Sequence, residues 1–170
     1  SIKTVVIEEG VGNVGNCAFR GCSNLTSVTI SAGVTSLGNA AFYGCNALND
    51  LTLPEGLASI GESVFYECRN LTAVTLPEGL TSISTSAFYH CGNLQSVVIP
   101  KSVTSLGWGV FFGCGNLTSV TCNATTPPSC SNTSFFAFDA TKCTLYVPEE
   151  SVSAYQQANY WNNFIKPLAS

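Results

Sequence analysis

Cys22, Cys45, Cys68, Cys91 and Cys114 are separated by 23 residues every time. Phe19, Phe42, Phe65, Phe88 and Phe111 keep the same step, and so do Leu25, Leu48, Leu71, Leu94 and Leu117. Three registers that share one period without a slip define a repeat array, in which each unit completes its core only against its neighbours. The units are 2–24, 25–47, 48–70, 71–93 and 94–116, followed by a degenerate coil over 117–143 and a closing segment over 144–170. Residues 1–170 therefore read as one domain.

The unit over residues 71–93 shows what a coil does. Leu71, Val74 and Leu76 point inward and Ala73 and Thr75 outward, the alternation of a short strand. Pro77-Glu78-Gly79 ends the strand, because proline has no N–H for the ladder and glycine tolerates the turn. Leu80 and Ile83 bring the chain back to the core. Ala87, Phe88 and Cys91 suit one helical or 3₁₀ turn. The expected fold is a right-handed α/β-type solenoid with one short parallel strand per coil, short turns or 3₁₀ pieces on the other side, and a small helical cap. At ~4.8 Å per coil, six coils make a slab roughly 25–30 Å long.

Composition follows from that plan. Charged residues are 9% of the chain against 45% hydrophobic, and the net charge is -4. So little charge of this sign argues against a groove that tracks phosphates, which excludes nucleic acid as a partner. No run approaches the ~18 apolar residues of a membrane span, and any signal peptide lies outside this chain.

The unit L-x-x-V-x-L-P-x-x-L-x-x-I-x-x-x-A-F-x-x-C-x-x resembles the 23-residue leucine-rich repeat of the BspA-like family, closely over residues 2–116. Thr125-Thr126-Pro127-Pro128 and the segment from Thr144 to Phe164 are similar to that family's last coil and C-terminal cap. The resemblance implies an extracellular or cell-surface address. It also implies a non-enzymatic role in adhesion or recognition, with a host or bacterial surface protein or a glycan as partner. A spacer that displays another domain is the alternative. In the cap, Ser151 to Ala158 can form a helix with Val152 and Tyr155 on one face, and Trp161 and Phe164 cover the last coil. Ser1-Ile2-Lys3 opens directly in a strand. The N-terminal edge is therefore expected to be bare, with a cap, further repeats or a linker missing before it, and open to end-to-end association.

Nine cysteines raise the question of metal or redox chemistry. The ladder Cys22, Cys45, Cys68, Cys91 and Cys114 reads as structural, one small apolar rung per coil. Cys17 is aligned with Ala40 and is expected in a small buried site; Cys122 replaces an inward Ile. Cys130 and Cys143 flank the irregular coil and could close it as a disulfide or stay free. No C-x-x-C pair occurs and His90 is the single histidine, so neither a zinc site nor a Cys91–His90 nucleophile is expected, and no cofactor is implied. Glu9, Glu55, Glu78 and Lys101 share one exposed turn column that lacks the oxygens a Ca²⁺ site needs. Paired carboxylates across a cleft, which glycosidases need, are not suggested. Asn24, Asn70, Asn116, Asn123 and Asn132 match glycosylation sequons that matter only in a eukaryotic source.

The candidate working surface is the outward strand face: Thr4, Val6, Ser27, Thr29, Asp50, Thr52, Ala73, Thr75, Ser96, Val98, Ser119 and Thr121. The resemblance implies binding across this face. Its residues are small and almost uncharged, so plain strand propensity accounts for them equally well. A second strip on the turn side, with Tyr43, Tyr66, Tyr89, Trp108, Phe112 and Arg69, offers more aromatic surface and suits a glycan as well as a protein.

Overall fold

Alternation at the start of each repeat becomes a strand, and the apolar pair that follows becomes a second, shorter one. The computed structural model describes residues 1–135, 139–164 and 168–169. In chain order its elements are β1 (Thr4–Ile7), β2 (Asn13–Val14), β3 (Ser27–Ile30), β4 (Ser36–Leu37), β5 (Asp50–Thr52), β6 (Ser59–Ile60) and β7 (Ala73–Thr75). They continue with β8 (Ser82–Ile83), β9 (Ser96–Ile99), β10 (Ser105–Leu106), β11 (Ser119–Cys122), β12 (Thr144–Val147), α1 (Val152–Gln157) and β13 (Leu168–Ala169). All pairings are parallel, and from β1 to β11 residues 23 apart face one another, as in Thr4 with Ser27 and Ser27 with Asp50; the step is 25 from β11 to β12 and 22 from β12 to β13. The stacked solenoid is thus as the period requires. The two-residue strands β2, β4, β6, β8 and β10 add a second ladder beside the first.

The core is a set of columns. Phe42, Phe65, Phe88 and Phe111 are fully buried, and successive rings from Phe19 to Phe111 lie 5.4–5.7 Å apart. Phe135 extends the stack at 5.5 Å from Phe111, although the chain step there is 24, because the degenerate coil carries one extra residue. Burying a Phe or Leu side chain stabilises the fold by ~1.5–3 kcal/mol, and the columns repeat that contribution in every coil.

Both ladders part between the third and fourth coils. β5 pairs with β3 and β7 with β9, but β5 and β7 do not pair; β6 and β8 are separated in the same way. Thr26 N–H donates to Lys3 O (2.9 Å) and Gln95 N–H to Thr72 O (2.8 Å), whereas Thr72 has no such bond to Asn49. The cause lies in the column Gly15, Gly38, Gly61, Ser84 and Gly107. A Cβ on Gly38 would lie 2.6 Å from Asn16 N, and one on Gly61 2.4 Å from Asn39 N. Glycine is what lets these coils touch. Ser84 carries the Cβ, so its coil stands off and its hydroxyl instead donates to Ile60 O at 2.7 Å. The asparagine ladder beside it ends at the same junction. Asn16 Oδ1 accepts from Asn39 N–H (2.8 Å) and Asn39 Oδ1 from Glu62 N–H (2.9 Å), but Glu62 cannot repeat the motif. On the turn side the coils stay joined through Phe65 N–H to Ala87 O (2.9 Å) and Glu67 N–H to Tyr89 O (2.8 Å). The junction is a wedge that opens toward the strands.

The C-terminal lid closes the last coil with aromatic rings. Trp161 packs edge-on against Tyr155 (5.2 Å) and Phe135 (5.1 Å), and its Nε1–H donates to Pro128 O at 2.8 Å. The Tyr155 hydroxyl donates to Ala124 O at 2.7 Å and contacts Cys122 Sγ at 3.1 Å.

Candidate ligand-binding face

Outward strand positions form two columns. One runs Thr4, Ser27 and Asp50, then Ala73, Ser96, Ser119 and Thr144; the other runs Val6, Thr29 and Thr52, then Thr75, Val98, Thr121 and Tyr146. Thr4, Thr29, Asp50, Thr52 and Thr75 are exposed, while Ser27, Ser96 and Val98 are half-buried. Every residue expected on this face is there. Sequence reasoning missed Tyr146, which lies between Thr121 and Leu168 and brings an aromatic ring into the second column. Its signal was the alternation Thr144-Leu-Tyr-Val in the cap, read only as a closing strand.

A groove of about 510 Å³ lies where the strands end, lined by Leu53, Glu55, Thr75, Pro77, Glu78 and Val98 among others. It crosses the wedge between the third and fourth coils and runs on to Pro100 and Asn123 in the fifth and sixth. Thr75 and Val98 belong both to the face and to the groove.

The turn-side strip has a different geometry. Tyr43, Tyr66, Tyr89 and Phe112 stack face to face at 4.6–4.7 Å with interplanar angles of 3–8°, and the Arg20 guanidinium lies 4.6 Å over Tyr43. Their ring faces are used on one another, so a sugar would meet edges and hydroxyls in mid-strip. Burial, then neighbouring Tyr43, Tyr89 and Glu67, raise the Tyr66 hydroxyl above its usual pKa. Trp108 is 53% exposed and lies 6.4 Å from Tyr89. Arg69 is turned to Glu67 at 3.4 Å. His90 and Glu67 occupy positions that are glycine in Gly21, Gly44 and Gly113, and take the left-handed φ of 55° and 56° that glycine favours there. His90 is an exposed outer-turn residue stacked on Tyr89 at 4.5 Å, pointing away from any thiol partnership.

The thiols are placed one per coil. Cys45, Cys68, Cys91 and Cys114 are fully buried and Cys22 half-buried. Cys45, Cys68, Cys91 and Cys114 donate S–H to the carbonyls of Phe19, Phe42, Phe65 and Phe88, at 3.2–3.3 Å. Burial pushes the Cys45 thiol up to about 11 and Cys114 to about 12, so no nucleophilic thiolate forms there near neutral pH.

One expectation about cysteine changes, and one open alternative is decided. Cys17 is exposed, because no coil among the described residues lies before it; in the same column Ala40 and Ser63 are half-buried and Ser86 is buried. Cys130 and Cys143 are both free, not bridged. Cys130 Sγ faces Asn159 O at 3.8 Å while Cys143 Sγ faces Thr144 O at 3.9 Å, so the two thiols address different parts of the cap. Among the described residues no group of three or more His, Cys, Asp or Glu could hold a metal ion. None of their helices is long and apolar enough to cross a membrane.

Parallel strands, a core of ladders, short far-side turns and a broad outward strand face define a leucine-rich-repeat solenoid. The chain belongs to the family described as BspA type Leucine rich repeat region, which matches in six copies over residues 1–118 and 81–166. It is similar to the leucine rich repeat protein of Treponema pallidum, at 36% identity and a TM-score of 0.67 over 69% of this chain. It spans 57% of that protein's chain. A leucine-rich repeat protein of Bacteroides ovatus shares 26% identity and a TM-score of 0.59 over 71% of this chain and 37% of its own. No curated protein matches the chain. Leucine-rich repeat solenoids are generally protein-interaction modules and typically non-catalytic.

Proposed function

We propose that the chain is a non-enzymatic recognition module of an extracellular or cell-surface protein, and that it binds a protein partner across the outward strand face. The observation that carries this reading is the pair of outward columns from Thr4 and Val6 to Thr144 and Tyr146, exposed over the first four coils except at Ser27, half-buried from Ser96 onward, and broken at the wedge. A stacked solenoid offers such a face as an extended surface that needs no movement to bind. Tyr146 and the groove supply the anchor and pocket that small hydroxyl residues lack. The non-enzymatic reading is supported by the family, whose solenoids are typically non-catalytic.

Among the described residues the edge of β1 away from β3 is unpaired, with Val6 61% exposed at a cavity of about 450 Å³ also lined by Val5, Val11 and Phe19. It suits stacking against another coil, of this chain or of a second copy. A spacer role is favoured by the smallness of most face residues.

The test is an array of immobilised matrix proteins, bacterial surface proteins and glycans, probed with the wild type and with arginine at Thr29, Thr52 or Thr75. The proposal expects a protein signal that these substitutions remove. A signal that survives all three moves the site elsewhere, and silence across the array supports the spacer.

A further inference from the structure

We infer that the groove across the wedge receives a lysine or arginine side chain from an extended segment of the partner protein; this rests on the reading of the strand face given above. The groove holds about 510 Å³; it begins at Leu53 and Glu55 of the third coil, crosses the wedge to the fourth, and runs on to Val98, Pro100 and Asn123. Its apolar walls are Leu53, Pro77 and Val98, and its charged lining residues, Glu55 and Glu78, are both acidic. Both carboxylates are exposed, and neither is in an ion pair among the described residues, where the pairs are Arg69–Glu67 and Lys142–Asp139. Lys101 continues their column one coil later and does not line the groove.

An apolar trough ending in two unpaired carboxylates matches the build of a basic side chain. The methylene stem of Lys or Arg lies along Leu53 and Pro77, and its cationic head reaches Glu55 and Glu78. The main chain marks the same break. In the next coil Leu76 N–H donates to Val98 O at 3.0 Å, but across the wedge Leu53 and Thr75 share no such bond. The amide of Leu53 and the carbonyl of Thr75 therefore lack the cross-coil bond that Leu76 and Val98 have.

The experiment is selection of a displayed random-peptide library on the whole chain, followed by affinity measurements of the enriched peptides on Glu55→Gln/Glu78→Gln and on Thr29→Arg. Both sets of positions are exposed, and circular dichroism checks that each variant folds. The inference expects enriched peptides rich in Lys or Arg, weaker with added salt. It expects them to lose at least about tenfold in affinity on the double Gln variant, the scale of a charge-assisted contact. Peptides without basic residues, or an unchanged affinity on the Gln variant, overturn it. If such peptides are lost on Thr29→Arg, the groove fails and the strand face stands. If they are lost on neither variant, both readings fail. A selection that enriches nothing overturns the groove as well.

Discussion

The Ser84 hydroxyl donates to the carbonyl of Ile60 at 2.7 Å, and this side-chain bond stands where its sister coils have a main-chain one. In those coils Gly38, Gly61 and Gly107 donate their amides to Val14, Leu37 and Ile83, each at 2.8 Å. One Cβ in the wrong column therefore turns a continuous solenoid into two stacks joined along their turn side.

Amide exchange reads this directly. Thr72 and Thr81, which lack partners across the wedge, should exchange faster than Gln95 and Thr104, whose amides donate to Thr72 O and Thr81 O at 2.8 and 2.9 Å. Ser84→Gly should slow Thr72 and Thr81 toward their sister residues. Equal rates in the wild type would remove the wedge from the account.

Gly61→Ala tests the same cause in reverse. Its Cβ would lie 2.4 Å from Asn39 N, and main chain cannot yield as a flexible side chain can. The expected loss is about 1–3 kcal/mol in denaturant unfolding. Gly12→Ala, with nothing within 4 Å, should change little.

The period made the Phe, Leu and Cys columns legible, because like residues can stack on one another only if the coils are alike. The strand face followed from alternation. What escaped were departures of one residue. Ser84 breaks a glycine column that was visible, but its weight comes from a Cβ-to-backbone distance. Phe135 rejoins its column after a one-residue insertion that a fixed step of 23 cannot follow. Strands such as Ser82–Ile83 are too short to show alternation at all. Tyr146 was assigned to the lid, although its strand continues the face.

Alkali should unfold the chain through its thiols. The folded values of Cys45, Cys114 and Cys143 stand at about 11, 12 and 12, raised by burial from an ordinary 9.0. Raised folded values mean that the unfolded chain loses its protons first, so stability is whole below pH 9 and falls as pH climbs toward 12. Thermal melts from pH 7 to 11 should show Tm flat up to about 9 and falling beyond it. Cys114→Ala should flatten the fall while lowering Tm at pH 7. A Tm independent of pH to 11 would contradict the buried thiol ladder.

Tyr155→Phe removes the hydroxyl that satisfies the buried Ala124 carbonyl at 2.7 Å while keeping the ring against Trp161. The cost should be about 1–2 kcal/mol. It should appear as faster exchange in α1 and greater Trp161 quenching.

Recognition across the outward strand face is tested most directly by amide exchange of the chain with and without a protein partner recovered from the binding array. Binding across the face should protect Ser27–Ile30, Asp50–Thr52, Ala73–Thr75 and Ser96–Ile99 and leave the Tyr43–Tyr66–Tyr89 strip unchanged. Protection confined to that aromatic strip, or a partner that leaves all four strands unprotected, would contradict it.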